Sequence, residues 1–123
     1  MDILIVDDEK IIRDSVSLLI EDAGHYAETA GSGAMALASL AETDCHLVLL
    51  DVHLGGENGL DVLVENQKKH PTVPVVVFTA AASVQTAVEA MRLGALDFLE
   101  KPFTRNQFGM VLSRIQTHRK LVE

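Results

Sequence analysis

Residues 3–9 read ILIVDDE, an unbroken apolar run that ends in three acids. Two more runs of this kind are LVLL at residues 47–50, followed by Asp51, and VPVVVF at residues 73–78, followed by Thr79. Continuous Val, Ile and Leu runs are typical of strands buried on both faces, as in a parallel sheet covered by helices. The sequence therefore predicts a parallel sheet with acidic residues where two of its strands end.

Helical segments separate these strands along the chain. Strands are predicted at residues 2–6, 25–30, 46–50, 73–79 and 96–99. Helices are predicted at residues 11–23, 34–42 and 60–70, from a cap at Ser83 to Gly94, and after a cap at Thr104. Alternating strands and helices imply right-handed crossovers, so the pattern predicts a doubly wound α/β sheet of five parallel strands. At 123 residues the chain fits a single domain, residues 1–123.

The apolar spacing within each helix predicts the face that packs on the sheet. These positions are Ile12, Val16, Leu19 and Ile20; Ala34, Leu37, Ala38 and Ala41; Leu60, Leu63 and Val64; Val84, Ala87, Val88 and Met91; and Phe108, Val111, Leu112 and Ile115. Strand alternation also predicts that Leu96 and Phe98 share one side of the last strand.

Composition excludes several classes of protein. The formal net charge of −8 argues against direct binding of nucleic acid or an anionic membrane. Cys45, the single cysteine, allows no internal disulfide and is expected to be a small buried residue. The apolar runs are too short to span a membrane, and the chain begins with a strand pattern instead of a basic leader. A cytoplasmic location is expected.

Polar side chains lie at the carboxyl ends of four of the predicted strands: Asp7, Asp8, Asp51, Thr79 and Lys101. In open α/β sheets, sites form outside the carboxyl ends of the strands, so these five side chains are expected to meet. Each has an ordinary explanation alone. The first acids suit a helix N-terminus and Asp51 suits a loop cap, but these explanations do not account for the convergence.

The residue types then suggest a chemistry. Three carboxylates supply the hard oxygen ligands that Mg²⁺ prefers. Asp51, on the third strand between the other strand ends, is the expected nucleophile, because a carboxylate can attack phosphorus to give an acyl phosphate. Lys101 and Mg²⁺ would neutralise the phosphoryl oxygens, and Thr79 would donate a hydrogen bond to one of them.

These residues resemble a bacterial response-regulator receiver domain over nearly the whole chain. The resemblance is carried by ILIVDDE, LVLLDVHLGGENGLDVL, VVVFTA and GALDFLEKPF, in that order. It implies the flavodoxin-like (βα)5 receiver fold, Asp51 as the phosphoacceptor, and a metal site of Asp7, Asp8, Asp51 and the backbone carbonyl of His53. It further implies Thr79 and Phe98 as the switch pair, Lys101 as the phosphate-contacting lysine, and a cis peptide before Pro102.

The stretch SVQTAVEAMRLGALDFLEKPF is similar to receivers of NtrC-type, sigma-54-dependent activators. That resemblance implies a sensor histidine kinase as phosphodonor and AAA+ and DNA-binding domains after the receiver, outside this chain. It also implies dimerisation through the surface of the fourth helix, fifth strand and fifth helix. No turnover of a free substrate is expected.

Three positions depart from the common receiver pattern. Gly55 replaces the usual proline, so the loop after Asp51 is expected to be more flexible. His53 and Ala81 occupy positions that modulate loss of the phosphoryl group in the family, so its lifetime is left open.

Other classes of protein remain as alternatives. An aspartate-nucleophile phosphatase of the haloacid dehalogenase type needs an acid two residues after its nucleophile, where this chain has His53. A flavodoxin-type module needs a hydroxyl-rich phosphate loop after the first strand, where this chain has acids. A stand-alone receiver or a receiver-like interaction module without DNA-binding output is the remaining alternative.

Overall fold

Five parallel strands form the central sheet of the computed structural model, which describes residues 1–80 and 84–122, with side chains through residue 117. The strands are β1 (Asp2–Val6), β2 (Tyr26–Ala30), β3 (Leu47–Asp51), β4 (Val75–Thr79) and β5 (Asp97–Glu100). The helices are α1 (Lys10–Asp22), α2 (Gly33–Glu42), α3 (Gly59–Lys69), α4 (Val84–Arg92) and α5 (Arg105–Val122). The cap predicted at Ser83 and the position of Ala81 lie outside the described residues.

The sheet has the strand order β2-β1-β3-β4-β5, and every neighbouring pair is parallel. The predicted doubly wound, flavodoxin-like architecture is therefore confirmed, with differences of one or two residues at the strand ends. The fourth strand starts two residues later than predicted, after Pro74, because proline has no N–H for a strand ladder. The order reverses between β1 and β3, which places a crevice between their carboxyl ends.

Alternate residues of the strands feed two apolar layers. Leu4 and Val6 pack with α2, α3 and α4 on one face, and Ile3 and Ile5 pack with α1 and α5 on the other. The faces predicted for α1 and α5 are confirmed, since their predicted residues are buried or partly buried. Both faces of the sheet are thus covered, so the strands read as continuous apolar runs.

The buried face of α2 differs from the prediction. Gly33, Ala36 and Leu40 are buried, whereas the predicted Ala34 and Ala38 are exposed. Close packing against α3 explains the rotation, because a Cβ on Gly33 would lie 2.6 Å from Cγ2 of Val62.

The apolar stripe of α4 also faces away from the core. Val84 is 83% exposed, Val88 54% and Met91 46%, while the buried residue of this helix is Ala90. A small residue lets the helix approach the sheet, and the larger side chains then project outward. Sequence spacing identified the stripe correctly but assigned it to the wrong side.

The prediction for Leu96 and Phe98 was wrong. Leu96 precedes β5 and packs against the layer under α1 and α5, whereas Phe98 packs against the opposite layer. Strand alternation does not apply to a residue outside the strand.

A short antiparallel hairpin between β3 and α3 was not predicted. His53–Leu54 pairs with Glu57–Asn58 around a turn of two glycines, and Gly55 has φ +59. Glycine favours this backbone conformation because it has no Cβ. The Gly-Gly pair was the available sequence signal.

Two further predictions concern Cys45 and membrane-spanning segments. Cys45 is half-buried, and burial raises the pKa of its thiol, which makes it less reactive than an exposed cysteine. No helix within residues 1–80 and 84–122 is both long and apolar enough to cross a bilayer.

Candidate functional site

Three acids meet at the carboxyl ends of β1 and β3. Carboxylate oxygens of Asp7, Asp8 and Asp51 all lie within 4.8 Å of one another. Asp7 is 0% exposed and Asp51 3%, whereas Asp8 is open to solvent. One open and two buried carboxylates give a site with hard oxygen donors and a free side, which suits Mg²⁺ with its retained waters.

Lys101 enters this site from the loop after β5. Its Nζ donates to Asp7 Oδ2 at 2.5 Å and to Asp51 Oδ2 at 2.9 Å. Its backbone N–H donates to the carbonyl of Thr79 at 2.9 Å, and the Lys101–Pro102 peptide is cis, as expected. The lysine therefore connects the ends of β1, β3 and β4.

Burial and charge act on these groups in different ways. Burial raises the pKa of Asp51 above its usual value, although hydrogen bonds from Lys101 and the His53 N–H oppose the shift. Burial alone would lower the pKa of Lys101, but the two aspartates outweigh it and the pKa is raised. Lys101 is thus held as a cation, while Asp51 is more basic than an ordinary carboxylate.

The ordinary roles considered for the acids are present as well. Asp7 Oδ1 accepts the backbone N–H of Glu9 at 2.8 Å, just before α1. Asp51 Oδ1 accepts the N–H of His53 at 3.0 Å, which turns the chain into the hairpin. These bonds fix the orientation of both carboxylates. The second oxygen of each carboxylate, Oδ2, accepts a hydrogen bond from Lys101.

Thr79 and Phe98 lie on neighbouring strands at the edge of the site. Thr79 is 1% exposed at the end of β4. Phe98 is half-buried and pairs in register with Val77, whose side chain shares a face of β4 with that of Thr79. The structure therefore brings the two expected switch residues to the same face of the sheet.

Three contacts at the site were not predicted. Arg13 donates to the carbonyl of Asp7 at 2.9 Å, Gly55 lies against the carboxylate of Asp8, and Lys101 Nζ stands 4.7 Å from the ring centroid of Phe78. A cation over an aromatic face is attracted electrostatically. No pattern in the sequence marks these contacts, because they join distant segments or depend on the path of a loop.

An apolar groove of about 460 Å³ opens beside the acids. It lies between α1 and the loop after β5, and its lining includes Ile12, Val16, Leu19, Pro102 and Phe103. Lys101 also lines it, so the groove leads to the charged site.

A doubly wound sheet with three acids and a partly buried lysine at its carboxyl edge defines the class of receiver domains. The chain belongs to the response regulator receiver domain family, which residues 3–113 match.

Its relatives include transcriptional regulators and their receivers. The nitrogen assimilation regulatory protein NtrX of Azorhizobium caulinodans is 41% identical over 115 residues, which cover 92% of this chain and 25% of that protein. The crystal structure of NtrX from Brucella abortus has a TM-score of 0.91 and 43% identity, over 98% of this chain and 28% of that one.

A third relative is a receiver domain alone. The beryllofluoride-activated NtrC4 receiver domain dimer has a TM-score of 0.86 and 32% identity, over 94% of this chain and 97% of that one. The resemblance to receivers of NtrC-type regulators is thus confirmed. The chain spans about a quarter of the length of NtrX.

Proposed function

We propose that this domain is a phosphorylation-dependent switch of a two-component system, with Asp51 as the phosphoacceptor. The observation that carries the proposal is the position of Asp51, nearly buried, beside two other acids and 2.9 Å from Lys101 Nζ. Receiver domains are signalling modules, so the outcome is a changed surface and no turnover of a free substrate.

The proposed step is an in-line transfer from a phosphohistidine of a sensor histidine kinase. The ionised carboxylate of Asp51 forms a new P–O bond as the P–N bond breaks, and the imidazole nitrogen leaves with that electron pair and takes up a proton. Lys101 stabilises negative charge on the phosphoryl oxygens, and Thr79 donates a hydrogen bond to one of them. The raised pKa of Asp51 makes the carboxylate a better electron-pair donor once it is ionised.

The donor set fits a magnesium ion. Asp7, Asp8 and Asp51 would hold it, with the carbonyl of His53 completing the protein ligands. A bound Mg²⁺ supplies positive charge to the phosphoryl oxygens. Lys101 pairs with Asp7 and Asp51, and one positive charge does not balance three close acids and a dianionic phosphoryl group, so a second cation is expected there.

The kinase is proposed to dock on the apolar groove between α1 and the loop after β5. A protein donor must bring its phosphohistidine to Asp51, and this groove is continuous with Lys101. Ile11 and Leu18, 78% and 68% exposed on α1, extend the apolar surface beside it. The proposal places the domain in the cytoplasm, where the ATP that charges a kinase is found.

The output is proposed to pass through Thr79 and Phe98 to α4, β5 and α5. A phosphoryl group on Asp51 would draw Thr79 towards it, and Phe98 would turn into the space released. The shallow packing of α4, which buries Ala90 and exposes its larger apolar residues, supports a helix that shifts at little cost.

In the full-length protein, we propose that AAA+ and DNA-binding domains follow this receiver and read the change. The proposal rests on the similarity to NtrX and related regulators, of which this chain spans a quarter. A stand-alone receiver without such output remains the alternative.

The decisive experiment is incubation with Mg²⁺ and acetyl phosphate, followed by intact-mass measurement. The wild type is expected to gain one phosphoryl group, and Asp51→Asn to gain none. Asp44→Asn, which removes an exposed acid in the loop before β3, is the matched control and should behave as the wild type. A wild type that gains no phosphoryl group, or an equal gain in Asp51→Asn, contradicts the proposal.

A further inference from the structure

We propose that Glu57 is a positioning residue that ties the hairpin after β3 to the N-terminus of α2 and so holds one wall of the acidic site. The inference rests on the proposed function, because it concerns the Mg²⁺ site formed by Asp7, Asp8 and Asp51.

The tie is a direct hydrogen bond between distant segments. Glu57 Oε1 accepts the backbone N–H of Gly33, the first residue of α2, at 2.9 Å. Ser32 caps the same helix by accepting the N–H of Met35 at 3.2 Å, so the two acceptors satisfy different donors. A carboxylate at a helix N-terminus is also favoured by the helix dipole.

The sequence of α2 leaves room for this contact. A Cβ on Gly33 would lie 2.9 Å from Glu57 Oε2 and 2.6 Å from Cγ2 of Val62. Glycine at this position therefore permits both the packing of α2 on α3 and the approach of Glu57.

The other attachments of the hairpin run to β3, α3 and the core. His53 N–H donates to Asp51, Asn58 Oδ1 accepts the N–H of Leu60 at 2.9 Å, and Leu54 is buried. Glu57, paired in register with Leu54, extends these contacts to a further helix. The hairpin is thus attached to α2 as well as to β3, α3 and the core.

The Glu57–Gly33 bond affects the acidic site through the tip of the hairpin. A Cβ on Gly55 would lie 3.2 Å from Asp8 Oδ2, so the turn stands directly over the exposed acid. Gly55 and Gly56 carry no side chains that could anchor the turn, and glycine raises the conformational freedom that folding must restrict. Glu57 follows them directly and limits that freedom.

A different explanation is that Glu57 affects the metal site only through its negative charge. Two substitutions separate the alternatives. Glu57→Asp keeps the charge but is one methylene too short for Gly33, and Glu57→Gln keeps the reach without the charge. Glu65→Gln, on the exposed face of α3, is the control for loss of one charge.

The experiment measures amide hydrogen exchange of Gly33 in Mg²⁺-free protein and the Mg²⁺ dissociation constant from NMR shifts of Gly55 and Gly56. Glu57→Asp should exchange faster at Gly33 and bind Mg²⁺ about two- to fivefold more weakly, the range that a surface helix-terminus contact gives. Glu57→Gln should be closer to the wild type than Glu57→Asp is in both measurements, and Glu65→Gln should have the same exchange rate and Mg²⁺ affinity as the wild type.

If Glu57→Asp binds Mg²⁺ as the wild type does and Glu57→Gln binds it more weakly, Glu57 acts through its charge and the positioning role is overturned. Unchanged exchange at Gly33 in Glu57→Asp overturns the tie itself. Phosphorylation of the wild type is measured in parallel. If the wild type gains a phosphoryl group but Glu57→Asp binds Mg²⁺ as tightly as the wild type does, this inference alone is overturned. If the wild type neither binds Mg²⁺ nor gains a phosphoryl group, both the inference and the proposed function are overturned.

Discussion

Asp51 is an acid whose burial opposes its negative charge more strongly than the neighbouring donors favour it. Burial raises its pKa, which means that the folded domain binds the proton more tightly than the unfolded chain does. The stability contributed by this group is therefore fully present below the unfolded pKa and is lost as the pH rises through the folded pKa. The ionised carboxylate, which the proposed phosphoryl transfer requires, therefore contributes less to the stability of the metal-free fold than the protonated carboxyl does.

Asp51→Asn is expected to stabilise the metal-free domain at pH 7.5. The amide removes the buried charge and can still accept the N–H of His53, while Lys101 keeps Asp7 as its partner. A gain of about 1 kcal/mol would raise Tm by about 4 °C in a domain of this size. Thermal unfolding in EDTA across the acid range measures the difference, which should shrink as the pH falls through the pKa of Asp51.

The control for this experiment is Asp44→Asn, which makes the same change in net charge at an exposed position. A lower Tm for Asp51→Asn than for the wild type at pH 7.5 would show that the ion pair with Lys101 outweighs the burial of the charge.

At the scale of the elements, the first residue of α3 lies in close contact with the backbone at the end of β3. Gly59 begins α3, and its N–H donates to the carbonyl of Val52 at 2.7 Å. A Cβ on Gly59 would lie 2.2 Å from the carbonyl oxygen of Asp51 and 2.6 Å from the Cα of Val52. These are backbone atoms and cannot rotate away, so α3 and β3 can approach this closely only because residue 59 is glycine.

Gly59→Ala is expected to destabilise the domain by about 2–3 kcal/mol, because an added methyl group in a closed contact forces the backbone to move. Gly56→Ala, in the hairpin that precedes α3, has nothing within 4 Å of the added Cβ and should stay within about 0.5 kcal/mol of the wild type. Urea denaturation measures both. Equal losses in the two variants would mean that the close contact at residue 59 is not what limits stability.

At the scale of the whole molecule, the sheet has two different edges. The β2 edge carries Tyr26, which is 75% exposed. The β5 edge lies beside α4, whose exposed stripe consists of Val84, Val88 and Met91, and beside α5, which exposes Met110. Neighbouring exposed apolar residues mark an interaction surface, whereas a single one is ordinary.

Phosphorylation is expected to promote dimerisation through the α4 stripe. Val88→Glu should weaken the dimer of the phosphorylated domain about tenfold or more, equal to about 1.4 kcal/mol, because a charge enters an apolar interface. Tyr26→Glu, at the opposite edge, is the control and should dimerise as the wild type. Sedimentation velocity with acetyl phosphate and Mg²⁺ measures both, and equal behaviour of the two variants would assign the dimer to another surface.

Much of the site could be predicted because its residues follow strands of an easily recognised type. Asp7, Asp51, Thr79 and Lys101 were found from their positions after apolar runs, and parallel strands bring such positions to one edge. Contacts that depend on the path of a loop were missed, as with the Glu57–Gly33 bond and the turn of Gly55 over Asp8.

The sequence by itself determined the order of strands and helices, the doubly wound fold and the acids of the site, because buried parallel strands require long apolar runs and carry polar residues where they end. The tertiary structure alone decided the side of α4 that faces solvent, the rotation of α2 and the opposite faces of Leu96 and Phe98. The physical reason is that helical spacing identifies an apolar stripe but not its partner. The close approach of Gly33 to Val62, or of Ala90 to the sheet, exists only after distant segments have packed together.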